Sequence, residues 1–333
     1  MQRFGVCVPL FANPGSAYFR TPAWQALEPI RSVELAVAAE ELGYDSVWVA
    51  DHLMHGLDGG ILEGWTTLSV IAGRTQRVRL GTIHLAQPFR APSLVAKMAA
   101  TLDALSGGRL IFFYDCGWQE AEVRAYGLPW PDEAERIARM DEGLRLIDQL
   151  WRTEAPLDFA GQFEHTQAAI CRPKPVQQPR PPIWLGEARH DQWLDTIVRH
   201  ADGWNSVPAS LPVLRGKLDR LRQACARGGR DLGELELSLE TQVLVAPTEA
   251  EVDATLARIA ALPPSPRGAP RAPDQLREDS LIGTPATVAA RLRDYAALGI
   301  GHFMLWFLDF PSLAGLRLFA EQVMPEVRAA AAE

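Results

Sequence analysis

The chain has 333 residues, 47% of them hydrophobic and 22% charged, which is enough for one large globular domain or two smaller ones. Its net charge of −8, with no basic stripe interleaved with aromatics, argues against a nucleic-acid partner. No apolar run approaches the roughly 20 residues that span a bilayer, and the opening MQRFGVCVPLF lacks a cationic start followed by a signal core, so no membrane association and a cytoplasmic location are expected.

In chain order, short apolar runs alternate with amphipathic helical stretches, the pattern of parallel strands joined by right-handed crossovers. Strands are predicted over 4–9, 46–50, 78–84, 110–115, 183–186, 203–207, 235–245 and 302–307. Eight such runs are the number that closes a parallel barrel, and no GxGxxG follows the first. A single α/β domain, a (β/α)8 TIM barrel over 1–333, is therefore preferred to an open doubly wound sheet. The intervening IRSVELAVAAEELG, SLVAKMAATLDALSGG and TPATVAARLRDYAALG carry apolar residues at helical spacing and end on glycine, the residue suited to a left-handed C-terminal cap.

Three connections, 11–29, 157–182 and 262–279, exceed a minimal link. The first and third follow the first and seventh strands and so overhang the C-terminal mouth, where barrel enzymes keep their active sites. The proline-rich middle one reads as an ordered surface connection. The cysteines Cys7, Cys116, Cys171 and Cys225 are widely spaced without a CxxC pair, so reduced thiols are expected.

Asp51 and His52 end the second predicted strand, which places them at the mouth, and an imidazole there can give or take a proton near neutral pH. The bland alternative is an Asp that orients a structural His. Asp51, His52 and His55 also admit a metal-hydrolase reading, but such a site needs ligands from further strands, so no metal is expected. Cys116 lies at the mouth with nothing beside it in sequence to lower its pKa, and is not expected to be a nucleophile. Glu122, at helical spacing from Trp118, reads as structural. The loop after the fifth strand, Gly186, Glu187, Ala188 and Arg189, leads into a helix whose free N–H groups suit a phosphate. Arg189 is placed to engage that phosphate, while Glu187 must point away from it or the phosphate must sit elsewhere. Trp118, Trp306, Asp309, Phe310 and Trp24 are expected to wall a substrate pocket.

The segments YDSVWVADHL, LEGWTTLSVIAGRTQRVRLGT, CGWQEAEVRAYGLPWP, CRPKPVQQPRPPIWLG and RHADGWN occur in the order and spacing of luciferase-like oxidoreductases. The later LIGTPATVAARLRDYAALGIGHFMLWFLDFP resembles that family's final crossover and strand, so the resemblance spans nearly the whole chain. It implies a barrel that holds FMN or the deazaflavin F420 at its mouth and oxidises or reduces a small organic molecule. It also implies a separate reductase or dehydrogenase that supplies the reduced cofactor, and a homodimer. The WVxDH and GWxxxE segments are similar to the F420-using branch, and the WNxVT signature of FMN-dependent alkanesulfonate monooxygenases is missing. Hydride transfer with F420 is therefore favoured, with FMNH2- and O2-dependent monooxygenation as the alternative on the same fold. A metal-dependent hydrolase and a non-catalytic flavin-binding barrel are further alternatives.

The resemblance further implies that Asp51 and His52 contribute to the cofactor pocket. It implies a non-prolyl cis peptide at Ile83-His84 supporting the ring face, with His84 adding a polar group. Relatives carry glycine where this chain has Phe113, Asp115 and Glu187. Asp115, Cys116 and Gly117, together with the Gly186 to Arg189 loop, are thus expected beside the cofactor with altered contacts.

Overall fold

A computed structural model of the chain describes residues 1–12, 21, 24, 26–187, 190–262 and 273–330. Its centre is eight parallel strands: β1 (Arg3–Val8), β2 (Ser46–Ala50), β3 (Arg79–Ile83), β4 (Leu110–Asp115), β5 (Ile183–Gly186), β6 (Gly203–Ser206), β7 (Glu236–Val245) and β8 (His302–Phe307). Each pairs with the next in chain order and β8 pairs back onto β1, so the sheet is a closed barrel. The predicted strands agree with these to within a residue at either end.

Strand alternation divides the apolar residues into two cores. Val6, Val8, Val47 and Val49 face the surrounding helices. Cys7, Trp48, Ile111, Phe113, Trp184, Met304 and Trp306 form a separate cluster inside the barrel. Two indoles fit there because the facing positions are glycine: a methyl group on Gly81 would overlap the Trp48 ring, and one on Gly203 the Trp184 ring.

The three expected crossovers are helices at Pro29–Glu41, Pro92–Ser106 and Pro285–Ala296, each with proline in its first turn, where the missing N–H costs nothing. The glycines that follow them, Gly43, Gly107 and Gly299, have φ of 83°, 71° and 97°. The left-handed caps are in place.

The long connections are more structured than a surface link. Within 157–182, Leu157–Ala160 pairs antiparallel with His165–Ala169, and the Glu142 carboxylate accepts the N–H groups of Gln162, Phe163 and Glu164 at the turn. Within 262–279, Pro273–Asp279 is helical, and the strand Leu281–Gly283 that follows lies along the end of β7. Residues 263–272 of that connection and most of 11–29 lie outside the described residues. Among the described residues no helix is long and apolar enough to cross a membrane.

Candidate active site

The C-terminal ends of the strands surround a cavity of about 630 Å³, a size typical of small-molecule sites. Ala50 and His52 follow from β2, Ile83 and His84 from β3, Asp115 to Gly117 from β4, and Glu240 and Trp306 from β7 and β8. β3 stops at Ile83 and pairing resumes at Leu85–Ala86 beside Tyr114 and Asp115, with a cis peptide between Ile83 and His84.

His52 is held by a residue 70 positions away. Its Nδ1 lies 2.6 Å from Glu122 Oε1, while Glu122 Oε2 accepts the backbone N–H groups of Leu53 and Met54 at 2.9 and 3.1 Å. A carboxylate taking those donors makes Nδ1 the protonated nitrogen and leaves Nε2 as the basic one, on a ring that lines the cavity. The His55 ring stacks on His52 at 4.8 Å, and Trp118, 62% exposed, stands edge-on to it at 5.2 Å.

Asp51 does not orient His52. Its carboxylate forms a two-pronged pair with Arg90 at 2.8 and 2.9 Å and accepts Ala86 N–H at 2.9 Å, and Arg90 also meets Glu63. This buried network ties the end of β2 to the segment after β3. With Asp51 turned to Arg90, the set Asp51, His52 and His55 is not assembled for a metal, and no group of three metal-ligand side chains is found among the described residues.

The departures from glycine are each absorbed. Phe113 is fully buried inside the barrel, with the His84 ring 4.3 Å above it. Asp115 Oδ1 accepts the Gly117 N–H at 2.6 Å, closing the turn, and its Oδ2 lies 3.7 Å from His84 Nδ1, beyond hydrogen-bond reach. Burial pushes the His84 imidazole down, against the pull of Asp115, so it is neutral, and its buried Nε2 has no partner among the described residues. Gly117 is left-handed, and a Cβ there would sit 2.9 Å from Pro88 Cγ. Burial raises the Cys116 thiol far above its ordinary value, which keeps it un-ionised. Glu187 turns to Lys217 and Ser206, and so is paired within the chain. Gly186 accepts the Trp193 indole N–H at 3.0 Å. Ala188 and Arg189 lie outside the described residues.

Among the cavity residues that the sequence reading does not single out are Arg136 and Glu240. Arg136, on the helix Glu133–Arg152, is buried at the cavity, donates from Nη1 to Pro131 O at 2.8 Å and lies over the Trp130 ring at 3.9 Å. Its Nε has no partner, and no carboxylate pairs with it among the described residues. Glu240, on β7, receives the Trp306 indole N–H at 2.7 Å. Of the expected pocket walls, Trp118 and Trp306 line the cavity. The other three pack elsewhere: Trp24 and Phe310 bury edge to face at 4.8 Å, and Asp309 caps a helix by accepting Gly315 N–H at 2.8 Å.

Residues 3–302 match the family described as luciferase-like monooxygenase. The F420-dependent glucose-6-phosphate dehydrogenase of Nakamurella multipartita is 31% identical over 324 residues, covering 90% of this chain and 93% of that protein. The FMNH2-dependent dimethylsulfone monooxygenase of Pseudomonas putida is 27% identical, covering 89% of this chain and 87% of that protein. In fold, an F420-dependent secondary alcohol dehydrogenase solved with an F420-acetone adduct superimposes with a TM-score of 0.78 at 21% identity, covering 98% of this chain and 99% of that one. A closed parallel barrel, a relative 31% identical along nine-tenths of the chain and a family match over residues 3–302 lead to one conclusion: the chain belongs to the luciferase-like monooxygenase family.

Proposed function

We propose that the protein is an oxidoreductase that uses a reduced deazaflavin or flavin on a small organic substrate, with hydride transfer on F420 favoured. The observation that carries this reading is His52. Glu122 fixes its tautomer, and the basic Nε2 is left on a ring that faces a cavity of cofactor-plus-substrate size.

The residues present fit such a cofactor. Arg136 is a buried guanidinium with an unused Nε, placed to hold a phosphate, and the neutral His84 presents an unpartnered ring nitrogen beside the Ile83-His84 peptide. Gly117 keeps the strand-end turn close to the cavity without a side chain. When bound, the reduced cofactor supplies an electron pair, as hydride to substrate for F420 or towards oxygen for FMN. Where hydride goes to the substrate, His52 starts as the imidazolium and gives its Nε2 proton to the substrate oxygen, ending as the neutral tautomer with the proton on Nδ1. In the reverse direction the basic Nε2 takes that proton, and Glu122 stabilises the imidazolium in either direction. Trp306, Phe11 and Ile83 keep the surrounding wall apolar and limit water.

The F420-dependent dehydrogenase at 31% identity supports the favoured cofactor, and the FMNH2-dependent monooxygenase at 27% supports the alternative. A separate reductase or dehydrogenase, a homodimer and a cytoplasmic location complete the proposal. The test is titration with FMN and F420, each oxidised and reduced, followed by absorbance or fluorescence. Binding of at least one in the micromolar range is expected, and failure of all four at tens of micromolar overturns the reading. Oxygen uptake by the reduced FMN complex in the presence of substrate would select the monooxygenase alternative.

A further inference from the structure

Glu240 is a carboxyl group in the cavity wall that neither holds His52 nor meets a cation. It is 4% exposed on the inner face of β7. Its Oε1 accepts the Trp306 N–H at 2.7 Å, and no other hydrogen bond or ion pair reaches the group among the described residues. The titratable groups that face it are Glu187, already engaged by Lys217, and the buried thiol of Cys7. Burial pushes Glu240 up to about 7, with the Trp306 N–H pulling the other way and Glu187 adding to the rise.

A dry carboxylate with a single neutral donor is under-satisfied. A carboxylic acid in the same position is matched, because one oxygen accepts from the indole and the other carries a proton that needs an acceptor. The cavity offers that proton to whatever occupies it. We propose that Glu240 is the cavity's substrate-recognition group, a neutral carboxylic acid whose O–H donates to a carbonyl or hydroxyl oxygen of the substrate. This rests on the oxidoreductase reading only in taking the cavity's organic ligand to be the substrate. No proton is transferred in the binding step: it stays on Glu240 and is shared with the ligand oxygen. A protonated amine would bind differently, drawing Glu240 into its ionised form.

Infrared difference spectroscopy on the full chain, with and without FMN, tests this with cyclohexanone and cyclohexylamine as probes. Below neutral pH the wild type should show the C=O stretch of a protonated acid. That band should be absent from Glu240→Gln and should shift when cyclohexanone is added. Glu240→Gln, whose amide N–H replaces the donor, should keep cyclohexanone affinity within about threefold, whereas Glu240→Leu should lose about tenfold. The assignment is overturned if no Glu240-dependent acid band exists, if cyclohexanone leaves the band unmoved, or if cyclohexylamine binds and abolishes the band while cyclohexanone does not bind at all. FMN affinity should be the same in all three chains. Failure of both FMN and F420, oxidised and reduced, to bind any chain, wild type included, breaks the oxidoreductase reading and leaves the band test standing. Loss confined to the Glu240 variants puts the residue on the cofactor and overturns the proposal.

Discussion

Glu236 and Glu240 lie four residues apart on the same face of β7, yet their surroundings drive them in opposite directions. At the N-terminal floor, burial would raise Glu236, but the hydrogen bond and charge of His302, with Arg3 behind them, hold it down to about 2. Near the mouth, burial lifts Glu240 to about 7 with only an indole N–H in opposition. The two histidines divide in the same way. His302 is fully buried with both ring nitrogens used, Nε2 on Ser46 Oγ at 2.8 Å and Nδ1 on Glu236 at 3.1 Å. His52 has one nitrogen fixed by Glu122 and the other left over at a cavity. The same residue types make a closed network at one end of the barrel and an open one at the other. A polar group with an unspent valence next to empty space is what marks the functional end.

Exchanging the histidines' fates is the strongest way to break this comparison. His52→Ala should lower turnover with any accepted substrate by about 10²- to 10⁴-fold while leaving the melting temperature and FMN affinity nearly unchanged. His302→Ala should cost about 3 kcal/mol of stability, because it leaves Glu236 and Ser46 without their buried partner, with little change in turnover per folded molecule. Calorimetry and steady-state kinetics on both variants decide it, and a loss of turnover confined to His302→Ala would reverse the roles of floor and mouth.

The two glutamates predict opposite pH limbs. Glu240 has a folded pKa of about 7 against an ordinary 4.5, so both states are protonated below 4.5 and the unfolded chain alone releases its proton between the two values. Stability should therefore fall by about 3 kcal/mol as pH rises through that window, and Glu240→Gln should remove the fall. Glu236, held at about 2, stabilises the fold above 4.5, and that contribution is lost as pH drops from 4.5 towards 2. Glu236→Gln should flatten this acid limb instead. Urea unfolding across pH separates the two, and an unchanged slope between 4.5 and 7 in Glu240→Gln would remove the buried acid.

The barrel was readable because strand alternation and glycine caps are local: Val47 and Val49 against Trp48, or Gly107 after its helix, carry their reasons within a few residues. His52 was readable for the same reason, at the end of a strand. Its partner was not, since Glu122 reaches it across 70 residues and helical spacing from Trp118 suggested only a structural role. The pairing of Asp51 has no such local signal, because Arg90, which holds its carboxylate, comes from the turn after a different strand. Arg136 and Lys217 are each one of several basic residues on amphipathic helices, and no local pattern separates them from the solvent-facing ones. Glu240 did leave a signal. Glu236, Ser238, Glu240 and Gln242 alternate as a polar face along a strand whose neighbours are apolar, and in a barrel that face must point inward.

The smallest effect falls on Glu122, which acts through His52 and so is a positioning residue. Glu122→Gln keeps the shape but offers one acceptor oxygen where the carboxylate offers two, so either His52 Nδ1 or the Leu53 and Met54 N–H groups must face an amide NH2. Turnover should fall by about tenfold as the fixed tautomer is lost, with substrate KM and FMN affinity within about twofold. A merely structural glutamate could also slow the enzyme by loosening the loop, so the deciding measurement is the imidazole itself. Nitrogen NMR of His52 should show a proton on Nδ1 in the wild type and a mixture of the two tautomers in Glu122→Gln. An unchanged single tautomer in a slowed variant would mean that Glu122 holds only the backbone of 53 and 54, and that something other than this carboxylate sets the orientation of the proton-carrying ring.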